Sequence, residues 1–572
     1  MTDVAASERT HSKAGAAPLA QPETRGRNFY LADRSLQGVL RLYLPEAEHQ
    51  HLAPHLERLG ALVGARLDDL ARDADRNPSV LHHRDRTGEE RQEIEKHPAY
   101  GEMERLAFGE FALSAMSHRA ALGWPKPMSS LSKYVLTYLF AQSEFGVLCP
   151  VTMTDTLIRT LREYASPELL ARYLPGLLAD DPSKMFQGAM FMTERFAGSD
   201  VGATETRAVP DGDHWRLYGD KWFCSNADTD VALALARPDG AGPGTRGLAM
   251  FLLPRLLENG EHNTYRIIRL KEKLGTRAMP SGEIRLDGAV AYLVGELGQG
   301  FKQITEMVNP LRVVNGVASA GMMRRAIHEA MAVARGREAF GRRLIAWPLM
   351  RRQLAKMIVP AEQALAMMAY TADCLDRADG GDGEAQVLTR ILTPLLKFRA
   401  CRDARAVTGD GMEVRGGSGY VEEWIEPRLL RESHLGSIWE GTSNIVALDV
   451  VRAVRKEDAH RVLAEVLGEM AEGVADELCG VLAERLERAV DLVDRVAREG
   501  EDSEVFARQA ATGLYNAATA ILLAAHGQSL GEPWRADAAR LVLEHRLGAA
   551  DPLIPESDDQ LTIDRLLAAQ SG

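Results

Sequence analysis

Glu440 is the residue in this sequence best set to accept a proton. Residues 436–447 read Gly-Ser-Ile-Trp-Glu-Gly-Thr-Ser-Asn-Ile-Val-Ala, with the carboxylate between a tryptophan and a glycine. The Gly-Thr-Ser-Asn cluster, followed by an apolar run to Val451, predicts a loop that caps a helix. Beside the Trp439 ring Glu440 is partly desolvated, which raises a carboxyl pKa toward that of a useful base. A lone glutamate in a turn is ordinarily a solvated surface group, so this reading depends on what accompanies it.

Four other stretches accompany it. Residues 192–200, Met-Thr-Glu-Arg-Phe-Ala-Gly-Ser-Asp, offer Gly198 and Ser199 for close backbone approach and for N–H and hydroxyl donation to an anion. Residues 221–226, Lys-Trp-Phe-Cys-Ser-Asn, read as an aromatic strand able to lay a ring against a flat ligand and present a hydroxyl to it. Residues 337–344, Arg-Glu-Ala-Phe-Gly-Arg-Arg-Leu, combine a guanidinium suited to phosphate with a phenyl ring suited to stacking. In residues 413–420, Glu-Val-Arg-Gly-Gly-Ser-Gly-Tyr, three glycines in four positions imply a loop pressed against something. Each stretch alone also suits an ordinary turn, core strand or basic helix end.

The elements that must position these residues follow from periodicity. Residues 1–27 lack it and predict a disordered tail. Residues 28–185 carry apolar residues at three- and four-residue spacing, as in 54–63 and 131–140, and predict a helical domain. Within it, 77–97 reads as a charged loop or set of short turns, and 148–154 as an interruption between helices. Residues 186–298 change to alternation and short apolar runs bounded by Gly and Pro, a compact β domain. Helical periodicity returns over 299–454, with long segments at 318–335, 349–378 and 384–408 that suit a bundle. Residues 455–572 form an extra helical segment, with an amphipathic region to about 498, a nearly uncharged and buried helix within 503–526, and a short helix near the end. The order is mostly α with a middle β domain, and it excludes a doubly wound sheet.

The chain has 572 residues and a net charge of −13. From Arg455 onward 12 Lys+Arg face 23 Asp+Glu, a net of −11, which disfavours that segment as a nucleic-acid surface. No run approaches the length of a membrane span, and no apolar signal core opens the chain. Five scattered cysteines suit a reducing cytoplasm and argue against a zinc site or a disulfide framework.

Taken together and in this order, the five stretches resemble the acyl-CoA dehydrogenase family. Thr-Glu-x-x-x-Gly-Ser-Asp, Lys-Trp-Phe-x-Ser-Asn, Arg-x-x-Phe-Gly, Gly-Gly-x-Gly-Tyr and Trp-Glu-Gly-Thr-Ser-x-Ile all match, over roughly residues 35–454. Asn28-Phe29-Tyr30-Leu31-Ala32-Asp33, the stretch 148–154, Lys271-Glu272-Lys273-Leu274-Gly275 and Gly321-Met322-Met323-Arg324-Arg325-Ala326 are similar to its AidB branch, as is the extra segment beyond Val454.

The resemblance implies an N-terminal helical domain, a β-barrel-like middle domain and a C-terminal four-helix bundle around FAD. Met192, Thr193, Phe223 and Ser225 would line the isoalloxazine, and Gly198 and Ser199 would approach the FAD phosphates. Arg337, Phe340, Glu413, Gly416 and Gly417 would meet the adenylate half of an FAD held by a neighbouring subunit, so a homotetramer is expected. Thr442 and Asn444 would contact FAD beside Glu440, the α-proton base, with hydride passing from the β carbon to flavin N5. The Glu440 backbone N–H would bind the thioester carbonyl, and electrons would pass to an electron-transfer flavoprotein. Arg312 and Ser199 would help hold the acyl-CoA. Three departures bear on this: the family's Asp-x-x-Arg is Asn309-Pro310-Leu311-Arg312 here, the Gln common before Gly-Gly-x-Gly is Glu413, and Arg415 sets a bulky charge beside the glycines. Intact Glu440 argues against a flavin-holding scaffold whose activity has lapsed, and two alternatives stay open. One is an oxidase. The other, from the AidB branch, is a DNA-binding flavoprotein that protects against alkylation, using Arg342, Arg343, Arg351, Arg352 and Arg452.

Overall fold

The computed structural model describes residues 21–474, 476–548, 553 and 559–570. The N-terminal part contains α1 (Arg34–Tyr43), α2 (Glu46–Val63), α3 (Arg66–Arg76), the strands β1 (Val80–Arg84) and β2 (Glu90–Glu95), then α4 (Pro98–Glu104), α5 (Ser130–Ala141), α6 (Leu148–Tyr164) and α7 (Pro167–Leu177). Apolar stripes drive the packing: Leu52, Leu56, Leu59 and Val63 are all buried along one face of α2. The segment expected as charged turns is an antiparallel hairpin, with Val80 facing Glu95 and Leu81 facing Ile94. Its alternation is carried by polar residues, so hydrophobic period could not reveal it. The stretch 148–154 does not interrupt a helix. It forms the first turns of α6, where Thr152 and Thr154 return their hydroxyls to the carbonyls of Leu148 and Pro150.

Residues 1–20 of the expected tail lie outside the described residues, and its remainder is packed. The Gly26 N–H donates to the Gly64 carbonyl, Thr24 is buried against Glu329, and the Pro22 carbonyl accepts from Arg415. These contacts are polar and long-range, which explains why a segment without periodicity still orders.

The middle domain is a seven-stranded sheet made of β3 (Gly188–Phe191), β4 (Arg207–Asp211), β5 (His214–Ser225), β6 (Val231–Pro238), β7 (Ala249–Pro254), β8 (Tyr265–Leu270) and β9 (Ser281–Val294). The path runs β3-β6-β4-β5-β9-β7, β7 pairs back to β6, and β8 adds to β9. The sheet thus closes like a barrel, leaving few free edges. β7 is buried throughout and β6 at every position but Arg237, with alanines alternating with leucines along β6.

The bundle is α8 (Gly300–Gly336), a small hairpin of β10 (Glu338–Ala339) and β11 (Arg342–Arg343), then α9 (Pro348–Asp379), α10 (Gly383–Arg415), α11 (Glu426–Gly436) and α12 (Ser443–Glu457). α8 starts well before the predicted 318, because it carries Pro310 within its length. A proline removes one backbone hydrogen bond, and the buried turns on either side hold the helix through it. At Gly321 a side chain would come within 2.4 Å of the Tyr138 carbonyl, so α5 and α8 meet backbone to backbone there. The extra segment adds α13 (Ala459–Glu472), α14 (Asp476–Arg498), α15 (Ala507–Leu530), α16 (Pro533–His545) and α17 (Gln560–Ala569). α15 is the buried, nearly uncharged helix, packed on α9, α12, α14 and α16. No helix among the described residues is long and apolar enough to cross a membrane.

Buried ion networks join these parts. Arg324, fully buried on α8, donates to Tyr138 (3.0 Å) on α5, Glu362 (2.6 Å) on α9 and Gln570 (2.7 Å) beyond α17, and pairs with Asp33 at 3.3 Å. Removing one partner of such a cluster strands the other charges in a low-dielectric interior. We expect Arg324→Ala to cost about 3–5 kcal/mol. Arg41→Ala, which breaks the exposed pair with Glu532, should cost about 0–1 kcal/mol. Thermal unfolding of the two variants in parallel checks the contrast.

Candidate active site

Glu440 lies in the turn between α11 and α12, and four helices converge on it. Its backbone is left-handed (φ +52°) and is followed by Gly441 at φ +100°. Non-glycine residues rarely hold that conformation unless the surroundings impose it, and here two cations do. Arg312 on α8 donates from Nε to the Glu440 carbonyl (3.0 Å), and Lys397 on α10 donates from Nζ to the Gly441 carbonyl. Asp449 on α12 holds Arg312 at 2.7 Å and is held in turn by Arg390 at 2.9 Å. Asn309 also accepts from Arg312, at 3.3 Å. The carboxylate missing at position 309 is therefore supplied by Asp449, and Arg312 is engaged in fixing the turn. Thr442 takes the N-cap position of α12 without a side-chain cap bond. Thr442 and Asn444 are exposed at the helix start.

Trp439 packs edge-on against Phe145, 5.3 Å between centroids, and donates from Nε1 to Asn315 on α8. Behind this wall Glu440 is half-buried yet ringed by protein. Burial pushes its carboxyl up, while Lys397 and then Arg312 pull it down. Burial pushes Lys397 down to about 8, opposed by Cys401 and Glu440. Cys149 on α6 is pushed up to about 12 by burial and then by the Glu440 charge. The Glu440 N–H has no backbone acceptor among the described residues, so it is available to a ligand.

The second half of the site is built on the β domain. Glu194, directly after the Met192-Thr193 pair, is buried and receives Lys221 Nζ at 2.7 Å, Glu205 N at 2.7 Å and Thr206 Oγ1 at 2.5 Å. That knot fixes the loop and leaves Gly198 and Ser199 at its exposed tip, with open space around Gly198. Trp222 and Phe223 fall where the β5–β9 register slips between Lys221 and Cys224. A bulge re-aims side chains, and the Trp222 N–H instead donates to the Thr193 carbonyl at 2.9 Å. Phe223 is left 56% exposed, with Lys271 Nζ 5.0 Å from its ring centre. Ser225 ends the strand opposite Ser281. An exposed ring, a hydroxyl and an open glycine loop on one sheet end suit a flat ligand carrying phosphates.

Arg337, Gly416 and Gly417 form a separate patch. Arg337 follows α8 and donates to the Arg415 carbonyl (3.1 Å), which brings it against Gly416. Phe340 is 93% exposed, Gly417 is exposed, and Glu413 is exposed with only a long contact from Gln353. Arg415 does not crowd the glycines. Its side chain turns inward and is fully buried between Glu329 (2.8 Å) and Glu426, with Trp424 stacked at 4.0 Å. No hydrogen bond joins this patch to the residues around Glu440 among the described residues. Of the arginines considered for a basic surface, Arg351 pairs with Asp564 and Arg452 with Asp449, and Arg342 stacks on Trp347.

Sequence reading missed Lys397, Cys149, Asn315 and Asp449. Lys397 left a signal: it is a lysine among Leu392, Leu395, Leu396 and Cys401, all buried on α10, and a charge inside such a run needs a buried partner. Also missed were Glu144 and Glu432, buried carboxyls that burial pushes upward, and Lys273, pushed down to about 8.

The comparisons with known proteins agree with this layout. Residues 20–182 match the adaptive response protein AidB N-terminal domain, 189–289 the acyl-CoA dehydrogenase middle domain and 298–455 the acyl-CoA dehydrogenase C-terminal domain. The chain is 36% identical to acyl-CoA dehydrogenase family member 11 of Caenorhabditis elegans, over 77% of this chain and 73% of that one. It is 34% identical to the putative acyl-CoA dehydrogenase AidB of Escherichia coli, over 75% and 78%. The structure of C. elegans ACDH-11 in complex with C11-CoA superposes with a TM-score of 0.87 at 29% identity, covering 99% of both chains. The Bd2924 apo-form superposes with a TM-score of 0.82 at 33% identity, covering 89% of this chain and 100% of that one. The three matched domains follow one another in the order of the helical, β and bundle parts described above, and the chain belongs to the acyl-CoA dehydrogenase family, in its AidB-like branch.

Proposed function

We propose that the protein is an FAD-dependent acyl-CoA dehydrogenase that desaturates an acyl-CoA thioester between its α and β carbons. The observation that carries this is Glu440: a buried carboxyl raised in pKa, in a left-handed turn fixed by Arg312 and Lys397, with its own N–H unsatisfied. A base needs a fixed position and a pKa shifted toward neutrality, and an enolate needs a preorganised donor at its oxygen. The residues fit the cofactor. Met192, Thr193, Phe223 and Ser225 would hold its flat ring, and Gly198 and Ser199 its phosphates, with Thr442 and Asn444 beside the base. Arg337, Phe340, Glu413, Gly416 and Gly417 would hold the adenylate half of a neighbouring chain's FAD, in a homotetramer. Bound there, FAD would supply the hydride acceptor.

The chain's own residues do the rest. The Glu440 N–H donates to the thioester carbonyl and stabilises enolate character. The Glu440 carboxylate takes the α proton. Trp439 and Phe145 exclude water from the base, which keeps its basicity high. Arg312 and Lys397 position the turn, and Arg312 and Ser199 would help hold the acyl-CoA. An electron-transfer flavoprotein is the proposed electron acceptor and the cytoplasm the proposed site. The C11-CoA bound by the C. elegans protein makes medium-chain thioesters the first substrates to try.

Anaerobic titration with short, medium, branched and long acyl-CoAs tests the reading. One of them should bleach the flavin of the wild type, and Glu440→Gln should slow bleaching by about 10²–10⁴-fold. A flavin that no thioester bleaches would sink the proposal. The pH profile gives a second check. Because burial raises Glu440, kcat/KM should climb with pH along a limb above the ordinary carboxyl value of about 4.3. Lys397→Met removes the positive charge that lowers the Glu440 carboxyl most, so this limb should move to still higher pH. A uniform loss of rate with an unmoved limb would mean that Lys397 only holds the fold.

A further inference from the structure

The extra C-terminal segment is acidic overall, yet it borders a cavity lined by arginines. The cavity, about 500 Å³, lies between α10, α14 and α15. Six guanidinium groups line it: Arg399 and Arg402 from α10, Arg485 and Arg488 from α14, Arg508 from α15, and Arg546 after α16. On α10 these two arginines leave the side opposite Lys397 and Cys401, so the cavity backs onto the helix that pins the Glu440 turn.

Carboxylates answer only part of this charge. Asp403 takes Arg399 and Arg546, and Glu484 takes Arg488 at 3.3 Å and Arg485 at 3.9 Å. Among the described residues Arg402 and Arg508 have no carboxylate in ion-pair range; Arg402 donates only to Ser443, at 3.3 Å. Nε of Arg399 and Nε of Arg485 are buried without an acceptor. Burial and then the charges of Arg508 and Arg399 press Arg402 below its ordinary value. Six cations against two anions, with donors unsatisfied, is a costly arrangement unless an anion completes it.

The walls restrict that anion. Phe398, Leu492 and Leu547 give one apolar side, and Gln509 and Thr512 add neutral hydrogen-bonding groups. Guanidinium planes pair with phosphate oxygens in two-point contacts and stack on flat rings. The volume suits a small organic ligand rather than a single inorganic ion. A concave site closed by three helices also differs from the extended track a nucleic-acid backbone needs.

We propose that this cavity binds a nucleoside polyphosphate, with its phosphates on the arginines and its base on the apolar wall. Calorimetric titration of the full-length protein as purified tests it, using ADP and ATP beside adenosine, tripolyphosphate and a short DNA duplex. ADP or ATP should bind one per chain, weaken with added salt, and raise the unfolding temperature, while adenosine should give no heat. Arg402→Gln/Arg508→Gln should weaken binding at least tenfold, and Arg86→Gln, on the distant hairpin turn, should not. Arg485→Gln/Arg488→Gln gives the same test from α14 should the first pair fail to fold. Unchanged affinity in both double variants would overturn the site, as it would if the nucleotide had entered the flavin pocket instead. Tripolyphosphate binding as tightly as ATP would overturn the nucleoside part, and binding of the duplex alone would overturn the proposal in favour of a nucleic-acid surface.

Discussion

Two cations, the part-buried Arg312 and the buried Lys397, hold the carbonyls of Glu440 and Gly441, and the candidate site depends on that arrangement. A left-handed glutamate costs on the order of 1–3 kcal/mol, and it persists because both carbonyls are fixed from different helices. The same cations set the acidity of the base. Burial drives the Glu440 carboxyl up, and the two positive charges limit the rise. Position and pKa are therefore coupled: a change at either cation alters both. Asp449 completes the set by neutralising Arg312 from the helix that follows the turn. In this chain the counter-charge to Arg312 comes from α12, across the bundle, and no longer from three residues upstream.

The β domain repeats the principle on a smaller scale. Lys221 and Glu194 form a buried pair whose remaining oxygens are satisfied by the loop itself. Buried pairs contribute little net stability, but this one determines where residues 198–199 can be. It also anchors the strand just before the bulge, so Trp222 can satisfy its N–H at Thr193 and Phe223 can face outward. Arg324 does the corresponding work between the N-terminal part and the bundle, meeting Asp33 and Glu362, and Arg415 does it within the bundle, between Glu329 on α8 and Glu426 on α11. The apolar core holds the helices together in a non-directional way. Directional buried charges select how the N-terminal part sits on the bundle that carries the Glu440 turn.

The extra segment shows how far an average can mislead. Its net charge of −11 is a sum over the whole stretch and carries no information on where the charges sit. Arginines from α10, α14 and α15 nevertheless gather on one inner side. Charge counts describe long-range fields, screened within about 10 Å at moderate salt, whereas a cavity lined by guanidiniums acts at contact distance.

The sequence by itself determined the order of the domains, because apolar period changes from helical to alternating and back, and that period follows from backbone geometry. It also marked Glu440, Gly198, Phe223 and Gly416 as candidates, because each stands in a short contiguous motif. Helix limits were less legible: Pro310 reads as a break, and only packing of α8 on its neighbours carries the helix through it. The hairpin of residues 80–95 and the packed residues 21–27 were hidden, because polar contacts hold them and leave no hydrophobic period. Tertiary structure alone decided which charges meet. Nothing local ties Lys397 to Gly441, Asp449 to Arg312 or Arg415 to Glu329. Partners of that kind lie tens to hundreds of residues apart, and only the packing of α8, α10 and α12 brings them within hydrogen-bond distance.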